Sequence, residues 1–366
     1  MEHSALESLH AAAGARLRAG TGTPVPLSFG DVPAEYRAGI EGSALFDETD
    51  RGRIEVRGAD AAAFLHRILA SDVRSLAEGA GQASLLLSSK GKVLHGFDLF
   101  RAGEGAWLSL PPGSAPGLLA ALDMYLFAEK VRLEDSTATH APLALAGPAT
   151  DEIVRSAVGL EVPVEDHAWL RGTWSGRELR IARVPVAGSP GALVDAGPEG
   201  APDLWNALKA AGARPAGLVA RDCLRIEAGC ALPGEDVDEN VYPQEARLER
   251  AFSLTKGCYV GQEVVAKIDT YGGLNKRLVA LEISHDDPVA RGTRLHRTED
   301  GERRDLGVVT SWAYSFVLDT GLVLAYVKRR SQAVGTRFEI GEGPATAEIV
   351  PIPVRAGAIP VTGEFE

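Results

Sequence analysis

Cysteine is scarce in this sequence of 366 residues, which contains only Cys223, Cys230 and Cys258. Their odd number and irregular spacing argue against a disulfide framework of the kind that stabilises small secreted domains, and they indicate a reducing compartment. The sequence has no Cys-x-x-Cys pair, and its eight histidines are scattered. We therefore expect no metal site built by this chain alone.

Long apolar runs are also absent. No stretch reaches the length that a membrane-spanning helix needs. The segment Met1–Gly20 is rich in alanine, but charged residues such as Glu7 and Arg16 interrupt it, so it lacks the apolar core of a signal peptide. These absences predict a cytoplasmic protein that does not associate with membranes.

Positive charge is in deficit, with 38 Lys and Arg against 50 Asp and Glu and a formal net charge of -12. An acidic chain repels phosphate backbones, so we expect no strong direct binding to nucleic acids. The hydrophobic content of 45% is ordinary for a globular protein, and the length suffices for two or three domains. Nothing in the pattern resembles a dimer seam, so we expect a monomer.

Common catalytic motifs are missing as well. The sequence contains no HExxH, no P-loop, no GxSxG elbow and no GxGxxG after a predicted strand. These absences argue against zinc peptidases, P-loop nucleotidases, α/β-hydrolases and dinucleotide-binding folds.

The first 270 residues alternate between predicted helices and strands. Helices are expected over 1–18, 61–69, 114–130 and 203–211, and strands over 52–58, 85–87 and 93–100, with a loop at 20–26. Asp60 is a suitable N-cap for the second helix, and the turn at 88–92 joins the last two strands into a hairpin. This mixture predicts the α+β class.

The character of the sequence changes after about residue 275. Short β-rich runs at 278–283, 306–311, 321–327, 336–340 and 346–351 are separated by Gly, Asp and Pro turns. This pattern predicts a compact all-β domain over residues 275–355, either a barrel or a sandwich. Residues 1–270 would form the remaining region, with two intertwined α+β subdomains.

The stretch Ala220–Gly229 is unusual because polar residues alternate with Leu224 and Ile226. Its periodicity fits either a helix or a strand. In a strand, Glu227 could reach a cavity, where its carboxylate could accept two parallel N–H bonds from an amino-heterocycle. The alternative is a surface glutamate paired with Arg221 or Arg225.

A second unusual stretch has the sequence KGCYVGQE, at residues 256–263. Gly257 and Gly261 allow backbone conformations that other residues resist. Glu263 and Lys267 are spaced as a helical ion pair, so a helix is expected to begin near Gly261 or Gln262.

Cys258 lies in this stretch, just before the expected helix. A thiol near a helix N-terminus, with Lys256 two residues away, should have a lowered pKa and be nucleophilic. The alternative is that Cys258 serves as a small buried hydrophobic residue.

Together these stretches resemble the YgfZ folate-binding family, which is related to the glycine-cleavage T-protein, an aminomethyltransferase. The signature similar to that of YgfZ comprises Lys256, Gly257, Cys258, Tyr259, Gly261, Gln262 and Glu263. The resemblance covers most of residues 40–350, through the segments 46–65, 220–245, 307–311 and 324–327.

The resemblance implies a three-domain cloverleaf around a central cavity that holds tetrahydrofolate or a one-carbon derivative, with a C-terminal β-barrel. By position, Glu227 would grip the pterin ring, Lys256 would meet the folate tail, and Cys258 would supply reactive thiol chemistry. The family supports assembly or repair of iron–sulfur clusters, including those of tRNA-modifying enzymes. Iron–sulfur client or assembly proteins are therefore the implied partners.

The sequence departs from the T-protein pattern at one position. T-protein relatives carry an aspartate in the strand after a Gly-rich turn, where aminomethyl transfer needs it. Here His95 falls at or beside that position in Lys90–Gly96 and joins the expected folate contacts. Asp98, three residues on, would face the other side of the strand. A neutral imidazole supplies no permanent negative charge, which argues against ordinary glycine-cleavage chemistry.

Two alternatives stay open at this point. One is a folate-dependent aminomethyltransferase or demethylase, and the other is a non-enzymatic scaffold with a vestigial folate cavity. The sequence does not decide whether the protein is an enzyme.

Overall fold

The computed structural model describes residues 6–18, 24–299 and 301–359. The predicted helix 1–18 and loop 20–26 therefore lie partly outside the described residues. Within them the helix is short, because Gly14 follows it at a φ of 71° and the chain then enters a strand.

The described elements follow one another along the chain. The helices are α1 Glu7–Ala12, α2 Val32–Glu41, α3 Ala61–Ile68, α4 Ala115–Asp123, α5 Thr150–Val158, α6 Ala201–Ala210, α7 Leu218–Ala228 and α8 Gln262–Tyr271. The strands of the first two-thirds are β1 Arg16–Leu17, β2 Pro26–Ser28, β3 Ala44–Asp47, β4 Gly52–Arg57, β5 Gly81–Leu87, β6 Val93–Ala102, β7 Gly105–Leu110, β8 Arg132–Asp135, β9 Leu143–Ala146, β10 Trp169–Trp174, β11 Arg177–Arg183, β12 Gly191–Asp195 and β13 Arg214–Pro215. The remaining strands are β14 Lys276–Ile283, β15 Arg294–Glu299, β16 Glu302–Ser315, β17 Thr320–Lys328, β18 Arg337–Ile340 and β19 Thr346–Val350.

These strands form two larger sheets and a barrel. One sheet has six strands in the order β10-β11-β12-β9-β3-β13, and the other has five in the order β5-β6-β7-β4-β8. Each sheet packs helices on one face: α5 and α6 cover the first, and α3 and α4 cover the second. The mixture of layers confirms the predicted combination of helices and sheets.

The predicted hairpin is confirmed, since β5 and β6 pair antiparallel across the turn at 88–92. Two helix details differ from prediction. The carboxylate of Asp60 makes no capping bond and instead accepts from the backbone N–H of Lys130 at 2.7 Å. Helix α4 ends at Asp123, because Glu129 accepts the backbone N–H groups of Phe127 and Ala128 and closes a local turn there.

The C-terminal strands close into a six-stranded barrel in the order β14-β17-β16-β15-β18-β19. The barrel prediction is confirmed, and strand β15 is the element that the β-rich runs did not reveal. Its sequence RLHRTE is mostly polar, and Leu295 is its contribution to the barrel core. The proposed division at about residue 270 stays a prediction.

A shared apolar cluster joins the sheets and the barrel at the centre of the molecule. It combines Phe46 of β3, Leu85 of β5, Trp107 of β7 and Tyr326 of β17 with Leu224 of α7. Helix α7 therefore lies where all three parts of the chain meet, and its polar residues are the first place to look for a site.

Candidate functional site

The stretch Ala220–Gly229 belongs to helix α7, not to a strand. The helix ends at Gly229, which adopts a left-handed conformation with φ of 75°. The strand that would have carried Glu227 into a cavity does not exist, so that part of the prediction is wrong. Propensity did not decide between the two because the helix is buried on several sides and its apolar residues are not confined to one stripe.

The carboxylate of Glu227 is fully buried and its oxygens are already engaged. Oε2 accepts from the hydroxyl of Tyr36 at 2.5 Å, and Oε1 accepts from Ser315 Oγ at 2.7 Å and from the backbone N–H of Val317 at 3.2 Å. A pterin could reach this carboxylate only by displacing these partners. Glu227 thus ties α7 to α2 and to the end of β16, which is neither the predicted cavity position nor the alternative surface position.

Two residues earlier on α7, Arg225 makes a second buried link to the barrel. Its guanidinium donates to Asp236 Oδ2 at 2.9 Å and to Ser311 Oγ at 3.0 Å. Asp236 in turn accepts from Ser311 and from the backbone N–H of Leu232 at 2.8 Å. Because both ions are buried and fully hydrogen-bonded, removing one would leave the other uncompensated.

The KGCYVGQE loop packs directly against the turn of the β5–β6 hairpin. A Cβ on Gly261 would lie 2.5 Å from the carbonyl oxygen of Ser88, and a Cβ on Gly91 would lie 3.0 Å from Val264 Cβ. Both glycines also have positive φ, at 81° and 73°. The close approach explains why glycine stands at both positions. Two stretches singled out in the sequence are therefore neighbours in space.

A third stretch, residues 240–242, contacts the same hairpin. The ammonium of Lys92 donates to the carbonyl of Asn240 at 3.0 Å and lies 3.1 Å from the ring centroid of Tyr242. The backbone N–H of Val93 donates to the carbonyl of Val241 at 3.0 Å. The hairpin, the segment before residue 245 and the KGCYVGQE loop thus form one connected surface.

Cys258 is exposed on this surface, so the alternative of a buried small hydrophobe is wrong. Helix α8 begins at Gln262 as predicted, and the expected Glu263–Lys267 pair forms at 2.5 Å. Lys256 is half-buried, donates to the backbone carbonyl of His66 and lies 5.1 Å from the ring of Tyr259. Burial lowers the pKa of the Lys256 ammonium to about 8.

His95 faces away from the centre of the molecule. It pairs across the hairpin with Leu86, which belongs to the core under α3 and α4, and its ring would lie 3.2 Å from a Cβ on Gly117 of α4. The same burial lowers the pKa of His95. Residues that are paired across a hairpin share a face, so the placement does not support the predicted folate contact.

Gly96 is the residue that turns to the inner face, opposite Leu85 of the central cluster. Gly96 carries no side chain, so no carboxylate stands at His95 or Gly96, where the resemblance predicts the T-protein aspartate. Asp98 lies on the same face as Gly96 and on the opposite face from His95, as predicted. The irregular register between Leu86 and Leu87 shifts the strand by one residue, and that shift could not be read from the sequence.

Asp98 is held by two cations. His167 Nε2 lies 3.2 Å from Asp98 Oδ1 and Arg51 donates to Oδ2 at 3.3 Å. Burial disfavours the imidazolium of His167, but hydrogen bonds to Asp166 and Asp98 outweigh it and raise its pKa to about 10. The sequence did not single out His167, because only the tertiary fold brings residues 98 and 167 together.

A cavity of about 640 Å³ opens between the two sheets and is lined by Glu55, Arg57, Trp169, Arg171 and Arg180 among others. Glu227, His95, Lys256 and Cys258 are not among its lining residues. In the part of the chain that the structure describes, no group of three or more His, Cys, Asp or Glu is placed to hold a metal ion. Within the same residues, no helix is long and apolar enough to cross a membrane.

The chain thus has three parts, two sheets and a closed barrel, which meet at α7. A solved structure has the same three-part architecture. The glycine cleavage system aminomethyltransferase T from Bartonella henselae has a similar structure, with a TM-score of 0.87, 25% sequence identity, and coverage of 98% of this chain and 99% of that one. The match runs over the whole molecule, so it extends to the arrangement of its parts.

The sequence comparisons agree with the structural match. The model of the GCVT N-terminal domain matches residues 6–256, and that of the glycine cleavage T-protein C-terminal barrel domain matches residues 276–354. An aminomethyltransferase of Rubrobacter xylanophilus is 36% identical over 353 residues, covering 94% of this chain and 91% of the relative. One of Chlorobium limicola is 31% identical, covering 93% and 95%.

The chain belongs to the glycine cleavage T-protein family. The predicted superfamily and its fold, with a C-terminal six-stranded barrel, are confirmed. Assignment to the YgfZ branch stays a prediction.

Proposed function

We propose that this chain is a tetrahydrofolate-binding protein whose task differs from the aminomethyl transfer of the glycine cleavage system. Its T-protein relatives use tetrahydrofolate, and the match to them extends over nearly the whole chain. We place the folate against the surface formed by the inner face of β6, the segment before residue 245 and the KGCYVGQE loop. Lys256 borders that surface and would meet the carboxylates of the folate tail.

The observation that carries this proposal is the identity of the inward-facing residue on β6. Transfer of an aminomethyl group develops positive charge on an iminium carbon, which a fixed carboxylate would stabilise. Gly96 offers none, and Asp98 is already neutralised by His167 and Arg51. Exposed Cys258 on the adjoining loop supports thiol chemistry in its place, as the YgfZ resemblance implies, in service of iron–sulfur cluster assembly or repair and, indirectly, of tRNA modification.

The second candidate is a folate-dependent aminomethyltransferase. The names of the relatives favour it over the YgfZ interpretation, and Asp98 lies on the correct face of β6, two residues from Gly96. In this candidate His167 would have to release Asp98 when substrate binds. A demethylase would face the same requirement.

One assay separates the two candidates. Purified protein is given tetrahydrofolate and an aminomethyl-loaded carrier, and formation of methylene-tetrahydrofolate is followed. We expect no turnover from the wild type, and turnover that Asp98→Asn abolishes would establish the transferase instead.

The thiol role is tested in cells that lack the native protein. Cys258→Ala should abolish the activity of a dependent iron–sulfur enzyme, whereas Cys230→Ala, which alters the half-buried cysteine at the end of α7, should preserve it. Full activity with Cys258→Ala would remove the thiol from the proposal.

A further inference from the structure

Strand β10 lies at one edge of the six-stranded sheet and pairs antiparallel with β11. A two-residue turn at 175–176 joins the strands, and both turn residues have positive φ, of 49° and 76°. In a hairpin of this kind, the residues that flank the turn form a hydrogen-bonded pair, and every second pair along the strands does the same. The main-chain groups of the even-numbered residues of β10 therefore bond to β11, and those of Arg171 and Thr173 point outwards.

The contacts of the neighbouring residue agree with this assignment. The backbone N–H of Trp169 donates to the carbonyl of Gly79 at 2.7 Å, on the side away from β11. Within the described ranges, no group bonds to the outward N–H and C=O of Arg171 and Thr173. Both residues are exposed. The free edge thus runs from the Gly79 contact to the turn at 175–176, and it can pair with another strand.

The other edges of the described sheets are shorter or covered. Strands β1, β2, β8 and β13 have four residues or fewer. The edge of β5 is covered by the segment 70–72, since the backbone N–H of Ala70 donates to the carbonyl of Leu85 and Gln82 Nε2 donates to the carbonyl of Asp72, both at 2.9 Å. The barrel is closed and has no edge. Strand β10 is therefore the edge best suited to pairing with another chain.

The sequence of this edge is complementary to itself. In a two-fold antiparallel pairing centred on Gly172, Arg171 of one copy lies opposite Thr173 of the other. Outward groups then meet outward groups, so each such pair exchanges two backbone hydrogen bonds. On the other face, Leu170 of one copy lies opposite Trp174 of its partner, at the short spacing that suits an aliphatic–aromatic pair. Both of these side chains are half-buried in the single chain and would be covered further.

The neighbouring registers are less favourable. Pairing centred on Arg171 would set two guanidinium groups opposite each other, and it would bring the partner copy against the position that Gly79 occupies. Pairing centred on Thr173 would set Arg171 opposite the partner's turn, where Ser175 has a φ of 49° and is not extended. The register centred on Gly172 is therefore the one that both the charges and the length of the free edge permit.

From these features we infer that β10 is the interface of a homodimer, in which the six-stranded sheets of two copies join edge to edge into one continuous sheet. The seam borders the cavity of about 640 Å³, because Trp169 and Arg171 line it. A seam made of main-chain groups leaves no apolar repeat in the sequence, which is why the sequence favoured a monomer.

The test is analytical ultracentrifugation of the full-length protein at concentrations from about 1 μM to about 0.5 mM. We expect a reversible dimer with a dissociation constant of about 100 μM or lower, as for a small interface. A wild type that stays monomeric over this range would overturn the inference and would leave the edge to a strand of another protein.

Two substitutions of Thr173 should move the dissociation constant of the dimer in opposite directions. Thr173→Arg sets a like charge opposite Arg171 in both halves of the seam and should weaken the dimer at least about tenfold, whereas Thr173→Glu forms an opposite-charge pair there and should tighten it about threefold or more. Within one chain Thr173 lies opposite Glu178, so an effect inside the chain would favour the arginine variant instead. Thr346→Arg, at an exposed threonine of the closed barrel, should change nothing.

Thr173→Pro tests the backbone pairing itself. It removes an outward N–H that has no partner within the described chain, and edge strands tolerate proline. The dimer should be lost, while the circular dichroism spectrum of the monomer is retained. A dimer with the same dissociation constant in all three Thr173 variants would use another surface and would overturn the inference.

The inference does not depend on the proposed folate site, because no residue of the KGCYVGQE loop belongs to β10. Folate binding is followed by thermal unfolding and dimerisation by sedimentation. Failure of one proposal can therefore be told apart from failure of the other.

Discussion

Helix α7 and the KGCYVGQE loop were the two most conspicuous stretches of the sequence, and the structure gives them opposite surroundings. On α7 the charged groups of Arg225 and Glu227 are buried and hydrogen-bonded on every side. On the loop, Cys258 is exposed and glycines shape the backbone. The comparison shows that a conspicuous motif can either hold the fold together or expose a reactive side chain. Whether its polar atoms are already hydrogen-bonded within the protein distinguishes the two cases.

The largest effect on the free energy of unfolding should come from removing a buried charged group of α7. Glu227→Ala would leave the Tyr36 hydroxyl and Ser315 Oγ without their acceptor, so we expect a loss of about 3–5 kcal/mol in the free energy of unfolding. Urea unfolding measures it. Glu239→Ala, at an exposed glutamate, should change it by less than about 0.5 kcal/mol. A small effect of Glu227→Ala would show that α7 is not held as described.

The next effect concerns the contact between the loop and the hairpin. Gly261→Ala places a methyl group 2.5 Å from the carbonyl of Ser88 at a φ of 81°, and should cost about 2–3 kcal/mol. Gly257→Ala is the matched control: it also has a positive φ but meets nothing within 4 Å, so a cost of about 1 kcal/mol is expected. Equal costs in thermal unfolding would mean that the close packing is absent.

A pH-dependent effect should come from His167, which pairs with Asp98 of β6. Its pKa is raised to about 10, above the unfolded value of about 6.5. Its contribution is therefore complete below pH 6.5 and is lost as the pH rises towards 10, with an expected loss on the order of 1–3 kcal/mol. Unfolding free energies measured across this window should fall for the wild type. His167→Gln should flatten the decline, and an unchanged slope would contradict the ion pair with Asp98.

The smallest effect is expected at the exposed thiol. Cys258→Ala should change the unfolding free energy by less than about 0.5 kcal/mol, because the side chain contributes no buried contact. Cys223→Ser, at a cysteine that is 2% exposed in the central cluster, should be clearly destabilising. If the order were reversed, the loop would be part of the core and the contrast with α7 would fail.

The sequence predicted the fold far better than the geometry of the site. The hairpin, the barrel and the start of α8 follow from local patterns, and the exposed Glu263–Lys267 pair follows from helical spacing. The surroundings of Glu227 depend on Tyr36 and Ser315, which are remote in sequence. The face occupied by His95 depends on a single register shift in β6. No local pattern carries that information, because it arises only when distant elements pack.

The central claim is that the chain binds tetrahydrofolate next to the KGCYVGQE loop, and thermal unfolding with increasing tetrahydrofolate tests it most directly. A ligand that binds only the native state raises the melting temperature as its concentration rises. We predict a saturable rise that is reduced by Lys256→Ala and retained with Lys267→Ala, at an exposed lysine of α8. No rise at saturating tetrahydrofolate would contradict the account.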